Sequence, residues 1–107
     1  MRRLTGAIFL SVDGVMQAPG GPDEDTSSGF RLGGWVQPHW SEDMGPFERV
    51  IMGDYDLLLG RRTYDIFAGY WPRRQDVPIG AKFQAINKYV LTHDAAPLGW
   101  ENSHRLS

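Results

Sequence analysis

Leu57-Leu58-Leu59-Gly60-Arg61-Arg62-Thr63-Tyr64 decides how this chain is read. Three leucines in a row suit a buried strand, the glycine ends it, and two arginines and a threonine open a helix behind it. At a strand-to-helix junction of this kind the first backbone N–H groups of the helix have no partner and point outward, so the turn can hold an anion. Gly60 allows a ligand close to the backbone. The guanidinium groups of Arg61 and Arg62 suit bidentate contact with phosphate, and the Thr63 hydroxyl adds a donor or caps the helix. The alternative is an ordinary turn whose arginines are solvated.

Working outward, the spacing predicts a strand over 56–59, a helix over 61–68 stopped by Gly69 and Trp71-Pro72, and a third helix over 79–86. Asn87 reads as a turn, 88–92 as a strand, and 100–106 as the start of a further strand. Toward the N-terminus, 4–12 is β-rich, nearly continuous in its apolar residues and closed by Asp13-Gly14, as expected of a strand covered on both faces. The glycine- and proline-rich stretch 17–34 carries the acidic run Asp23-Glu24-Asp25 and reads as a long loop. A helix is expected over 41–54, with Met44, Phe47, Val50 and Ile51 on one face. Ser41 is its candidate N-cap, and Gly45-Pro46 makes its first turn ambiguous. Strands alternating with helices predict an α/β fold with parallel pairs.

The composition narrows the function classes. The chain has 107 residues, enough for a single domain, with 41% hydrophobic and 22% charged residues, as in ordinary globular domains. A net charge of −2, with arginines in isolated pairs, argues against nucleic acid as a partner. The absence of cysteine removes disulfides, thiolate catalysis and cysteine-based zinc sites. His39, His93 and His104 lack metal-ligand spacing, so no metal is expected. The apolar stretch behind Met1-Arg2-Arg3 is too short for a secretory leader or a membrane span, so a cytoplasmic location is expected.

Two further positions lie where ligands bind in open α/β sheets, beyond the carboxyl ends of strands. Asp13, in Ser11-Val12-Asp13-Gly14-Val15-Met16, is a candidate catalytic carboxylate; the competing reading is an Asx-turn residue bonded to its own backbone. Thr92-His93 would emerge on the same edge as Gly60, with His93 also readable as a plain loop residue.

Taken in order, Ser11-Val12-Asp13-Gly14-Val15, Gln17-Ala18-Pro19-Gly20-Gly21, Gly33-Gly34-Trp35-Val36, Leu58-Leu59-Gly60-Arg61-Arg62-Thr63-Tyr64 and Asn87-Lys88-Tyr89-Val90-Leu91-Thr92 resemble a bacterial family. Its members are like dihydrofolate reductase and the reductase domain of the bifunctional riboflavin-biosynthesis deaminase/reductase. The resemblance covers residues 4 to about 92. It implies a three-layer α/β/α fold with a mostly parallel central sheet, and an NADPH-dependent hydride transfer to a small heterocyclic, carbonyl or imine substrate.

By the same resemblance, Arg61, Arg62 and Thr63 would contact the 2′-phosphate and pyrophosphate of NADPH, with Gly60 allowing the approach. Thr92 would lie beside the adenosine end. Phe9, Val12, Met16 and Gln17 would meet the nicotinamide. Asp43, on the helix with Met44 and Phe47, would orient the substrate and assist proton delivery. The family's later strand, its glycine-rich turn and a pyrophosphate-cradling helix find no counterpart here. The expectation is therefore the N-terminal part of such a domain, incomplete in one chain, with a second copy completing the sheet. The alternative is a catalytically inactive nucleotide-binding or oligomerising remnant of that fold.

Overall fold

A computed structural model describes residues 2–41 and 44–106. The chain divides into two compact units, residues 1–48 and 49–107.

The second unit is α/β. Strands β1 (Leu57–Gly60), β2 (Lys88–Leu91) and β3 (Ser103–Leu106) form a parallel sheet in that order. In register, Leu57 faces Lys88, Gly60 faces Leu91, and Leu91 faces Leu106. Helix α2 (Arg61–Tyr70) and helix α3 (Pro78–Ala85) lie between β1 and β2 in the chain. Alternation along the strands sends Leu57, Leu59, Lys88 and Val90 to one face. There Leu59, Val90, Tyr64 of α2, Phe83 of α3 and Trp100 form the core. Phe67 stacks on Phe83 at 5.7 Å, and the Trp71 ring meets Phe83 edge-on at 5.4 Å. Aromatic pairs of this kind add about 1 kcal/mol each beyond the area they bury.

The element boundaries follow from a few residues. Helix α2 runs through Gly69 to Tyr70, so the end expected at 68 falls two residues later. An interior glycine costs only about 1 kcal/mol against alanine, whereas Pro72 removes a donor. The chain tightens there into the 3-10 turn Trp71–Arg73. Pro78 opens α3 at its first position, where its missing N–H costs nothing. Gly80 is required by packing, since a Cβ there would collide with the Arg74 carbonyl oxygen.

The other face of the sheet carries Leu58, Leu91 and Leu106, which are 51%, 60% and 39% exposed. The Tyr89 and His104 rings stack on it at 5.2 Å.

In the first unit the expected strand over 4–12 is not formed. No residue of that stretch belongs to the sheet, and Leu4, Ile8, Leu10 and Val12 are exposed rather than covered on both faces. An apolar run becomes a strand only when a neighbouring strand takes its N–H and C=O groups. Among the described residues this stretch shows backbone bonding only at its end, where Ser11 N–H donates to Val15 and Gly14 N–H to Ser11. Those bonds close the Asp13-Gly14 turn, with Gly14 at φ 89°.

The expected loop over 17–34 is a loop, but a built one. Glu24 accepts from the Gly20 and Gly21 N–H groups at 2.9 and 3.0 Å, and Gly34 N–H donates to Ala18 at 2.8 Å. Gly33 lies so close to Pro22 that a Cβ would sit 2.5 Å from its carbonyl oxygen. Ala18 and Val36 are buried at its base. The expected helix over 41–54 is shorter: α1 spans Gly45–Ile51, with Pro46 in its first turn. Phe9, Trp40 and Phe47 form an aromatic trio with ring centres 4.6 to 6.2 Å apart. Among the described residues no helix is long and apolar enough to cross a membrane.

Candidate functional site

Because all three strands run the same way, their carboxyl ends share one edge, where Gly60, Leu91 and Leu106 are neighbours. The first turn of α2 starts on that edge. Gly60 is its extended N-cap, and no side chain caps the turn or places a carboxylate in it. The N–H groups of Arg61, Arg62 and Thr63 are therefore available to an anion. A Cβ on Gly60 would meet no atom within 4 Å, so the approach to this backbone is open.

The two arginines differ. Arg61 Nε donates to Asp65 at 3.0 Å, its Nη1 reaches the Ala96 carbonyl at 3.4 Å, and its guanidinium lies 5.9 Å from the Tyr64 ring centre. It is tethered along the flank of α2. Arg62 is exposed and makes no hydrogen bond or ion pair among the described residues, so it is the free cation of the turn. Thr63 is exposed and does not cap the helix.

Thr92 is buried just past β2, beside this turn. Its backbone N–H donates to Leu106, and its Oγ1 accepts from Asp94 N–H at 3.0 Å. Asp94 in turn accepts from Ala96 N–H at 2.8 Å. The Thr92 hydroxyl thus shapes the turn whose Ala96 carbonyl receives Arg61. His93 is exposed, and its carbonyl accepts from Arg105 at 3.2 Å. The structure therefore gathers Gly60, Arg61, Arg62, Thr63 and Thr92 on one edge, as their positions in the sequence suggested.

A groove of about 420 Å³ runs along α2 from this edge, lined by Arg61, Tyr64, Asp65, Gln84, Trp100 and Glu101. Behind its Trp100 and Gln84 walls lies Lys88, a residue that spacing rules do not single out. Lys88 is fully buried, and its Nζ donates to the Phe83 and Gln84 carbonyls at 2.7 and 3.2 Å, closing the C-terminal end of α3. The same ammonium sits 4.2 Å from the Trp100 ring centre. Burial pushes its pKa down to about 8, against a smaller opposing pull from Glu101. A lysine heading an apolar strand was the available signal.

The remaining candidates lie in the first unit. Phe9 packs on Trp40 and Phe47, Val12 is fully exposed, and Met16 is half exposed. Gln17 serves the loop: its side-chain amide donates to the Asp25 and Ser27 carbonyls at 3.2 and 3.0 Å, and its backbone carbonyl accepts from the Trp35 indole at 2.8 Å. Asp13 is exposed, with Ser11 Oγ donating to it at 2.5 Å. That hydroxyl, and then its own backbone N–H, hold the Asp13 carboxyl below the usual range, so at neutral pH it is an ionised carboxylate that accepts hydrogen bonds and has no proton to donate. A small hollow of about 190 Å³ lies beside it, walled by Val15, Phe30, Leu32 and Trp35. Asp43 lies outside the described residues.

No family model matches the sequence, and none of the curated proteins does either.

Proposed function

We propose that this chain is part of an NADPH-dependent reductase of the dihydrofolate reductase and riboflavin-biosynthesis reductase type, acting on a small heterocyclic, carbonyl or imine substrate. The observation that carries the proposal is the junction of β1 and α2. A parallel strand ends at an unobstructed glycine and feeds a helix whose uncapped first turn bears two arginines, one of them free. The residues fit the phosphates of the cofactor: Arg62 and the free N–H groups would hold the 2′-phosphate and pyrophosphate, with Arg61 flanking them. The cofactor would supply the hydride; the chain's own part at this edge is to bind and orient it.

The reading includes a second copy of the chain, and the exposed leucines on the open face of the sheet support it. A second reading, nucleotide binding without turnover, is favoured by the first unit. Val12 and Met16 face solvent there, and Phe9 and Gln17 are engaged with their own surroundings.

Titration of NADPH by intrinsic tryptophan fluorescence, on a sample of fixed oligomeric state, tests the proposal. Saturable micromolar binding supports it, and substrate-dependent oxidation of the bound cofactor then separates a reductase from a binder. No binding at millimolar NADPH contradicts both readings.

A further inference from the structure

Four side chains stand in a row from the core to the candidate phosphate turn. Lys88 Nζ lies 4.2 Å from the Trp100 ring centre, Trp100 is 6.1 Å from Tyr64, and the Arg61 guanidinium lies 5.9 Å from Tyr64. Two cations thus bracket two rings. Hydrogen bonds fix the row: Trp100 N–H donates to Tyr64 Oη at 3.0 Å, the Trp100 indole to Gln84 at 2.7 Å, and Tyr64 Oη to Ser103 Oγ at 3.0 Å.

We infer that Lys88 is a positioning residue for the phosphate turn, acting on Arg61 through Trp100 and Tyr64. The inference rests on the reading of Arg61 as a phosphate-flanking group.

Lys88 has three N–H donors. Two are spent on the end of α3, and the ammonium faces the Trp100 ring, where the attraction is strongest when water is excluded. Lys88 therefore joins α3 to the connection between β2 and β3. That connection also holds both tethers of Arg61 that lie outside its own carboxylate partner. The Ala96 carbonyl belongs to it, and the Tyr64 hydroxyl is bonded to its Trp100 backbone. Without the cation, the Phe83 carbonyl loses its Lys88 donor, and the indole, still bonded to Gln84, loses the charge over its face. Tyr64 and Arg61 must follow. A lysine that served only the core would change stability and leave the guanidinium where it is.

The test uses the full chain with Lys88→Met, which keeps length and removes charge, and Lys88→Arg, which restores a cation. Two quantities are read: the Arg61 Nε–Hε resonance in a 15N NMR spectrum without ligand, and the affinity for NADPH. The expected result is a displaced or broadened Arg61 signal and roughly five- to tenfold weaker NADPH binding in folded Lys88→Met, with partial recovery of both in Lys88→Arg. An unchanged Arg61 resonance in folded Lys88→Met overturns the inference, whatever NADPH does. A displaced resonance in a protein whose wild type binds no NADPH upholds the positioning and rejects the phosphate reading. If Lys88→Met fails to fold, Trp100→Phe, which shrinks the ring and removes the indole bond to Gln84, takes its place. A displaced Arg61 signal in that variant supports the inference, and an unmoved one overturns it.

Discussion

The Lys88 ammonium and the Trp100 indole, 4.2 Å apart, join the end of α3 to the connection that leads into β3. A charge is thereby placed where no water reaches it, compensated by two carbonyls and a ring face.

That placement has a pH signature. An unfolded lysine keeps its proton to about pH 10.5, while folded Lys88 releases it near 8. Between these values the unfolded chain binds more protons, so stability rises with pH across the window. The benefit is full above 10.5 and gone below 8. Tyr55 acts in the opposite sense, because burial raises its pKa and its contribution falls away above about 10. Denaturant unfolding between pH 8 and 9.5 is therefore expected to show a gain on the order of 2 kcal/mol, absent in Lys88→Met.

Gly80 is the position in α3 where backbone meets backbone. Gly80→Ala drives a methyl into the Arg74 carbonyl oxygen, a collision that no rotamer can relieve. A loss of about 2–3 kcal/mol is expected despite alanine's better helix propensity. A midpoint in urea equal to or above that of the wild type would show that the close approach is not there.

Asp13 owes its low pKa first to one hydroxyl. In Ser11→Ala the carboxyl is expected to titrate closer to an ordinary aspartate, readable from its 13C shift against pH. An unmoved titration would assign the effect to the backbone alone.

The exposed face of the sheet predicts self-association through Leu58 and Leu91. Light scattering is expected to show more than one copy in the wild type and a monomer in Leu58→Lys with Leu91→Lys. A monomeric wild type at high concentration would remove the second copy from the reading.

Local chemistry made much of the second unit legible from the sequence. Leucines followed by a glycine mark β1, Pro72 and Pro78 bracket the gap between α2 and α3, and the β2 and β3 segments were recognisable. Non-local pairing was not legible. The stretch 4–12 has the composition of a buried strand, yet composition does not say which strand accepts its hydrogen bonds. The expected strand over 100–106 occupies only Ser103–Leu106, because Trp100 is drawn into the core by its ring. Gln17 and Lys88 show the same limit in side chains: both act through partners set by the fold, out of reach of spacing rules.

The central claim is that the first turn of α2 holds the 2′-phosphate of NADPH. Its most direct test is the affinity of Arg61→Ala with Arg62→Ala for NADPH and for NADH, measured side by side with the wild type. The account predicts a loss of tenfold or more for NADPH, from about 1.5–3 kcal/mol in charge-assisted hydrogen bonds, and a much smaller loss for NADH, which shares only the pyrophosphate. Equal losses for the two cofactors would contradict it.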